Sequence, residues 1–119
     1  MDDEPKPLDF VGAARREMRA FPKPAREIAG EDLYRVQKGR EPRDWKPLPE
    51  IGPGTYEIRV RTAQGGSVQF RVIYVAKFRE AIYVLHAFEK KTQQIPPHHL
   101  ELAQSRYREL LRKRANREA

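Results

Sequence analysis

The chain has 119 residues, of which 39% are hydrophobic and 34% are charged, and none is a cysteine. This length suits one domain with a modest core and is too short for two. The lack of cysteine excludes disulfides and thiolate metal sites and is typical of the reducing cytoplasm. No apolar run reaches the roughly 18 residues that span a bilayer, and no signal-peptide pattern follows Met1, so we expect no membrane association.

The net charge of +7 comes entirely from the second half of the chain. Residues 1–54 carry eleven lysines and arginines against eleven acidic residues, whereas residues 55–119 carry thirteen against six. A basic half beside a neutral half favours a polyanionic partner, with nucleic acid as the first candidate. Solubility alone would also explain an excess of this size.

Apolar periodicity and turn residues predict the elements of the first half. Residues 1–6 are acidic and contain proline, which predicts a disordered tail. A short strand in "PLDFVG" is followed by a helix that starts near Ala13 and by a second helix that stops at Gly39. The proline-rich loop after it contains Trp45, which we expect to anchor the loop to the core.

Three strands and a last helix complete the predicted domain. The strands span Tyr56–Arg61, Val68–Ala76 and Ala81–Lys90, with hairpin loops between them. A helix opens at "QIPP", and residues 113–119 form a loose basic tail. We therefore predict an α+β domain over residues 7–112 in the order βααβββα. Its sheet is antiparallel, with the two N-terminal helices on one face and a C-terminal helix.

Side chains alternate between the two faces of a strand, so parity assigns each strand residue to a face. One face, which the N-terminal helices are expected to cover, carries Tyr56, Ile58, Val60, Val68, Phe70, Val72, Tyr74, Tyr83, Leu85 and Ala87. The other face is mixed and gathers the cations; it carries Glu57, Arg59, Arg61, Gln69, Arg71, Ile73, Val75, Ile82, Val84, His86, Phe88 and Lys90. On this second face Phe88 either packs under the last helix or stacks on an RNA base.

Hairpin geometry predicts a row of cations across the mixed face. A three-residue loop containing glycine in the first hairpin sets Arg59 opposite Arg71, and the second hairpin then sets Arg71 opposite His86. Like charges that face each other destabilise a strand pair, so the fold alone has no need of this row. A solvated face explains one such arginine. Two of them, with His86 and Lys90 beside them, indicate an anion-binding site.

Other kinds of site have weaker support. His98 and His99, with Glu101, are interpreted as solvated residues, because adjacent histidines on a helix diverge by roughly 100°. The sequence contains no glycine-rich phosphate loop, no Ser/His/Asp arrangement and no pair of catalytic carboxylates. We therefore expect neither a metal nor another cofactor.

Three segments, in their order and spacing, resemble the RelE/HigB-like toxins of bacterial type II toxin–antitoxin systems, particularly the phage-derived branch. They are "WKPLPEIGPGTYEIRVR", "FRVIYV" and "YVLHAFEKKTQQIPP", and the resemblance runs from about Pro7 to Arg112. It implies a RelE-like, microbial RNase-type fold and a toxin that enters the ribosomal A site and cuts mRNA. It also implies a cognate antitoxin, which we expect to be of the helix-turn-helix type.

The cationic positions of this family correspond here to Arg59, Arg71 and Lys90. Where some relatives carry two lysines on the first of these strands, this chain has Glu57 and Arg59. Its last strand looks one residue longer than in relatives. Lys90 and Lys91 are therefore alternatives for the family's cationic position at the end of that strand.

Cleavage of RNA without a metal requires a base, an acid and a group that stabilises the phosphorane. The two arginines of the row suit the phosphorane, because guanidinium groups match phosphate oxygens. His86 has an unperturbed pKa near neutrality and is the candidate acid or base, with Glu57 in reserve. Lys90 would hold a backbone phosphate or the leaving group. Further RNA contacts are expected from Arg61, Gln69, Lys91 and Lys113.

Two other functions remain open at this stage. ParE-like toxins resemble this fold but inhibit DNA gyrase and do not cut RNA. A nucleic-acid-binding module would keep the same cationic surface without any activity. The row of cations argues against the gyrase inhibitor, and the binding module stays open.

Overall fold

The computed structural model describes residues 4–62 and 69–118, which form five strands and three helices. In chain order the elements are β1 (Leu8–Phe10), α1 (Ala14–Arg19), α2 (Lys23–Gln37), β2 (Trp45–Pro47), β3 (Thr55–Arg61), β4 (Gln69–Val75), β5 (Ile82–Lys90) and α3 (Pro97–Glu118). The five strands make one sheet in the order β1-β5-β4-β3-β2. The predicted α+β class and the order βααβββα are confirmed, with one further strand, β2, inside the predicted loop.

Local sequence explains the bounds of α2. Pro24 lies in its first turn, where the missing N–H would have had no partner inside the helix. Gly39 follows the helix with a φ of 79°, a conformation that side chains other than glycine rarely adopt. The predicted stop at Gly39 is therefore confirmed.

The sheet is mixed, and the prediction of a wholly antiparallel sheet is wrong at one edge. β1 runs parallel to β5, with Leu8 opposite Ile82 and Phe10 opposite Val84. The other three pairs, β2 with β3, β3 with β4 and β4 with β5, are antiparallel. Hairpins impose the antiparallel direction on the later strands, whereas two helices and a loop separate β1 from them.

Apolar stripes of the helices cover the two faces of the sheet. Ala29 and Leu33 of α2 are fully buried against one face, together with residues of α1. Tyr107 and Leu110 of α3 are buried against the other face, over the end of β4 that carries Ile73. The cationic end of this second face lies beyond the apolar core under α3.

A β-bulge changes the face assignment of the first half of β5. Ile73 pairs with His86 and Tyr74 pairs with Val84, so Leu85 is an extra residue on β5. An extra residue reverses the parity of every residue before it. The predicted faces of four residues are therefore wrong: Ile82 and Val84 pack in the core under α1 and α2, whereas Tyr83 and Leu85 pack in the core under α3.

The folded domain extends into both of the predicted tails. Lys6 donates from its backbone N–H to the carbonyl of Gln37 at 2.9 Å and from Nζ to the carbonyl of Phe78 at 3.0 Å. The last helix continues to Glu118, and Arg114 pairs with Glu80 at 2.6 Å. These contacts make Lys6 and residues 113–118 part of the folded domain.

Part of the first hairpin lies outside the described residues. The predicted three-residue loop at Gly65 and Gly66 and the predicted start of the strand at Val68 both fall there. The register that this loop was meant to produce is present, because Arg59 lies opposite Arg71.

Candidate functional site

Strands β3, β4 and β5 hold an open cleft of about 440 Å³ at their cationic end, which we call the cationic cleft. It is lined by Lys46, Glu57, Arg59, Arg61, Gln69, Arg71, Lys90, Lys91, Thr92 and Gln93. Seven of the nine residues predicted for the site are among them; the exceptions are His86 and Lys113. The described lining thus contains six cations and one carboxylate, a balance that suits a polyanion.

Sheet register explains why these side chains converge. Arg59 pairs with Arg71, and two residues further along the sheet Gln69 pairs with both Arg61 and Lys90. Residues two apart on a strand share a face, so the two rows lie side by side. Opposed arginines destabilise a strand pair, which indicates that the arrangement serves another purpose than folding.

Arg71 and Glu57 form a buried ion pair in the cleft. Their exposed fractions are 3% and 1%, and Nε of Arg71 lies 3.3 Å from Oε1 of Glu57. Burial lowers the pKa of Arg71, Glu57 opposes this shift, and the charge of Arg59 adds to it. Among the described residues, Nη1 of Arg71 and Oε2 of Glu57 have no hydrogen-bond partner. Buried polar atoms are usually paired, so this arginine retains donor capacity for an anion.

Lys90 is also largely withdrawn from solvent, with 6% of its surface exposed. Its Nζ donates a hydrogen bond to the backbone carbonyl of Gln93, in the turn that leads to α3. Burial lowers the pKa of Lys90, and the nearby charge of Arg71 lowers it further. A lysine with a lowered pKa releases its proton more readily than an exposed one. Lys91, by contrast, is exposed and lies 3.7 Å from Glu89.

Arg59 is held from the side by the loop before β2. Its Nε donates to Oδ1 of Asp44 at 3.0 Å, and its backbone N–H donates to the carbonyl of Asp44 at 2.8 Å. The side chain remains partly exposed, unlike that of Arg71. Arg59 therefore presents a positioned guanidinium to the cleft while Asp44 limits its excess charge.

The predicted position of His86 in the row is wrong. The hairpin pairs Val75 with Tyr83 and not with Ile82, and the bulge adds one more residue, so Phe88 lies opposite Arg71 and His86 lies opposite Ile73. Nδ1 of His86 lies 2.8 Å from Oε1 of Glu17, outside the cationic cleft. The assignment of His86 as acid or base at this site therefore loses its geometric basis.

His86 instead belongs to a buried polar cluster that joins α1, β5 and α3. Nη1 of Arg106 donates to Oε1 of Glu17 at 2.8 Å and to the carbonyl of Leu85 at 2.9 Å. Burial raises the pKa of Glu17, but the hydrogen bonds from Arg106 and His86 outweigh it and lower this pKa to about 2. Glu17 is therefore an ionised acceptor at neutral pH, and the cluster ties three elements together.

The tautomers of two histidines follow from this cluster. Burial lowers the pKa of His86, so the ring is neutral at pH 7 and its Nδ1–H donates to the carboxylate of Glu17. Its Nε2 then accepts from Nδ1 of His99, 2.7 Å away. Burial lowers the pKa of His99 to about 4, and repulsion from His86 when both rings are protonated contributes to this shift. Phe88 stacks on His99 with ring centroids 4.0 Å apart, so it packs under the last helix.

Lys113 lies on α3, where it pairs with Glu109 one turn earlier at 3.4 Å. It does not line the cationic cleft. Within the described residues, no group of three or more histidine, cysteine or acidic side chains has the geometry of a metal site. In the same part of the chain, no helix has the length and apolar character needed to cross a membrane.

Sequence reasoning missed three residues of the cleft: Lys46, Thr92 and Gln93. Lys46 reaches it because β2 pairs with β3 and sets Lys46 opposite Glu57. A strand of three residues is too short to show the alternation that reveals a strand in a sequence. Pairing of this segment with "TYEIRVR" would have placed Lys46 at the cleft. The carboxylate and arginine that hold His86 were also missed, because they are 69 and 20 positions away in the sequence.

A scan against protein-family models matches residues 16–108 to the family described as phage derived protein Gp49-like. The chain belongs to the phage-derived Gp49-like family. This family is of the RelE/HigB-like toxin type, so the resemblance read from the sequence is confirmed. No functionally curated protein matches the chain.

Two solved structures resemble this Gp49-like protein. A free mutant of the E. coli toxin RelE shares 22% sequence identity with it, at a TM-score of 0.54, over 71% of this chain and 83% of that one. The RelBE2 toxin–antitoxin complex of Mycobacterium tuberculosis contains a chain with 23% identity and a TM-score of 0.49, over 76% of this chain and 100% of that one. The likeness to RelE confirms the predicted fold.

Proposed function

We propose that this Gp49-like protein is the toxin of a type II toxin–antitoxin system and cuts mRNA on the ribosome, which stops translation. The observation that carries the proposal is the pairing of Arg59 with Arg71 in a cleft that also holds Lys90. Its net positive lining suits an RNA backbone. Membership of the Gp49-like family and the fold shared with a protein named as a toxin support the same conclusion.

The two arginines would stabilise the charge that develops on the scissile phosphate. Arg71 is fixed by its buried pair with Glu57, and Arg59 is fixed by Asp44. Preorganised guanidinium groups in a partly dehydrated site interact more strongly with a phosphorane than solvated ones do. A phosphate that enters the cleft would supply hydrogen-bond acceptors to the buried donors of Arg71, which have no partner in the described part of the chain.

Proton transfer would fall to Lys90 and Glu57. The lowered pKa of Lys90 suits a proton donor to the departing 5′-oxygen. With His86 outside the cleft, Glu57 is the carboxylate of the described lining, and its Oε2 would accept the 2′-hydroxyl proton. The nucleophilic 2′-oxygen then forms a cyclic phosphate while the 5′-oxygen leaves with the proton from Lys90.

Two partners follow from this proposal. The first is the translating ribosome with its mRNA, which implies action in the cytoplasm. The second is a cognate antitoxin, expected to be of the helix-turn-helix type, because an enzyme that cuts cellular mRNA must be inhibited in growing cells. Lys91 and Arg61 at the exposed side of the cleft would contact RNA phosphates when the antitoxin is absent.

Induction of the protein in cells tests the proposal against the gyrase alternative. Induction should stop translation within minutes and leave transcripts with new 5′ ends inside translated reading frames, while plasmid supercoiling stays normal. Co-expression of the neighbouring small gene should restore growth and yield a complex that purifies with the toxin. Intact transcripts with reduced supercoiling would identify a ParE-like gyrase inhibitor. Intact transcripts, normal supercoiling and normal growth would leave a nucleic-acid-binding module without activity as the remaining candidate function.

A further inference from the structure

A second concave site lies on the face of the sheet opposite the cationic cleft. It has a volume of about 280 Å³ and lies between the end of α2 and the edge strand β2. Its walls include the aromatic rings of Trp45, Tyr56 and Tyr74, and its lining also contains Lys6 and Arg40. We call it the aromatic slot.

The three rings contact one another in series, with Tyr74 buried behind the partly exposed Trp45 and Tyr56. The ring centroids of Trp45 and Tyr56 lie 5.5 Å apart with the planes at 75°, and those of Tyr56 and Tyr74 lie 5.7 Å apart with the planes at 31°. Trp45 and Tyr56 are only half-buried, so part of each ring is open to a ligand. The sequence predicted that Trp45 anchors its loop. We expect a side chain with that role alone to be buried, whereas Trp45 is partly exposed.

The aromatic slot and the cationic cleft share the strand β2. Trp45 lines the slot and the next residue, Lys46, lines the cleft, because successive side chains of a strand point to opposite faces. β2 is three residues long and forms the edge of the sheet as the structure describes it. A single strand that leaves the cleft beside Lys46 therefore reaches the slot by crossing one short edge.

The size and chemistry of the slot indicate its occupant. A volume below that of typical drug-sized pockets suits one planar ring system rather than a whole cofactor. Aromatic side chains stack on the bases of single-stranded RNA without strong sequence preference. Among the described residues that line the slot, Glu41 is the single carboxylate, against the cations Lys6 and Arg40. This balance favours a segment that carries phosphate.

We propose that the aromatic slot binds one nucleobase of the RNA strand whose backbone occupies the cationic cleft. This inference rests on the proposed function, because it requires RNA in the cleft. The slot holds the strand on the far side of β2 and so fixes which phosphate faces Arg71. Trp45 and Tyr56 are binding residues in this account and take no part in proton transfer.

Trp45 is the one tryptophan of the sequence, so its fluorescence reports on the slot alone. The probe is a 2′-O-methyl RNA octamer, which binds but lacks the hydroxyl needed for cleavage. Anisotropy of a labelled octamer measures total binding, and emission of Trp45 with the unlabelled octamer measures occupancy of the slot. The two titrations should share one midpoint, with quenching of Trp45. An octamer without bases should bind more weakly and leave the emission unchanged.

Variants separate stacking from folding. Trp45→Ala should weaken octamer binding by on the order of tenfold to a hundredfold, as the loss of one base stack does elsewhere. Trp45→Phe keeps an aromatic face and should bind within a few-fold of the parent. Arg40→Ala should weaken binding, whereas Arg108→Ala, an exposed arginine of α3 outside the slot, serves as its matched control. Thermal melts identify any variant that does not fold. The fluorescence titration of the parent protein tests the slot even if a variant fails to fold.

Each other outcome overturns the inference in a recognisable way. If the octamer binds by anisotropy while the emission of Trp45 stays constant, the slot is not an RNA site and the cationic cleft stands alone. If the octamer does not bind at all, the inference fails, and primer extension on a message translated by purified ribosomes shows whether the proposed function fails with it. If N-acetyl-phenylalaninamide quenches Trp45 where adenosine monophosphate and the octamer do not, the slot accepts a protein side chain instead.

Discussion

Arg71 and Glu57 are ion-paired within the sheet, with Nε 3.3 Å from Oε1 and both side chains almost wholly buried. An arginine on a solvated strand face would contribute little to stability. A buried pair behaves differently, because removing one partner leaves the other charge uncompensated. Arg71 therefore contributes to the fold as well as to the candidate site, and experiments on it must separate the two.

The first prediction concerns this pair. Arg71→Ala should lower the free energy of unfolding by about 3–5 kcal/mol, because Glu57 is left buried and unpaired. The double substitution Arg71→Met with Glu57→Leu should restore most of that stability while cleavage stays lost. Chemical denaturation and a cleavage assay on each variant provide the measurement. A double variant that is folded and still cleaves would remove the pair from the mechanism.

Arg59 gives a cleaner test of catalysis. Its pair with Asp44 is partly exposed, and such pairs contribute about 0–1 kcal/mol, so Arg59→Ala should melt close to the parent. Its cleavage rate should nevertheless fall by on the order of a hundredfold, the usual effect of losing one preorganised donor. Lys113→Ala, a cation outside the cleft, is the control and should retain full activity. An Arg59→Ala variant as fast as the parent would contradict the role assigned to the arginines.

The pH dependence of cleavage should identify Lys90. As a proton donor it must be protonated, so activity should fall as pH rises through its pKa, which burial lowers from the ordinary value of 10.5. Lys90→Arg keeps the charge but does not titrate in this range, so the alkaline decline should disappear together with most of the rate. Single-turnover rates from pH 6 to 10 would be compared. An identical alkaline decline in the Lys90→Arg variant would assign it to another group.

Acid should weaken the attachment of α3 before it unfolds the rest of the domain. His99 has an unfolded pKa of 6.5 and a folded pKa of about 4, so the unfolded state binds more protons between these values. Stability is therefore full above pH 6.5 and falls as pH decreases toward 4. Glu17 adds a second loss, from its ordinary 4.5 down to about 2. Melting temperatures across pH 3–8 measure both.

A matched pair of variants isolates the histidine contribution. His99→Gln keeps a polar partner for His86 but does not titrate, so the decline between pH 6.5 and 4 should become smaller. His98→Gln changes the exposed neighbour, whose charge is a smaller cause of the lowered pKa of His99 than burial is, so this variant should keep most of the decline of the parent. Equal pH profiles for the two variants would show that the bond between His86 and His99 does not govern acid stability.

Salt dependence distinguishes phosphate contacts from the general charge of the protein. Lys91→Ala removes one cation from the cleft, so the slope of log binding constant against log salt should decrease by roughly one unit for a duplex and less for a single strand. Lys113→Ala should leave the slope unchanged, since Lys113 pairs with Glu109 outside the cleft. Filter binding of the 2′-O-methyl octamer at several salt concentrations gives both slopes. Equal slopes for the two variants would mean that RNA is not bound in the cleft.

Elements built on local signals were predictable from the sequence. Gly39 stops α2 because of its own backbone freedom, and the apolar alternation of β3 and β4 determines their faces and the pairing of Arg59 with Arg71. These features depend on neighbours in the chain or on one hairpin, so residue patterns suffice. Most of the candidate site followed from the same parity argument.

The errors arose where a feature depends on contacts between distant segments. The bulge at Leu85 has no marker such as glycine, and it lets His86 bond to Glu17 of α1 and His99 of α3. Those partners are 69 and 13 positions away, and periodicity cannot reveal them. The same holds for Lys46, which the pairing of a three-residue strand brings to the cleft.

Primer extension on a message translated by purified ribosomes is the decisive measurement for cleavage of mRNA at the cationic cleft. With the parent protein, we expect new 5′ ends within the reading frame only when ribosomes are present, and on the order of a hundredfold fewer with Arg59→Ala at equal folding. Product 3′ ends should carry a cyclic phosphate, as attack by the 2′-oxygen requires. An uncut message under these conditions, with a folded protein bound to the ribosome, would contradict the assignment of the cationic cleft as the site of cleavage.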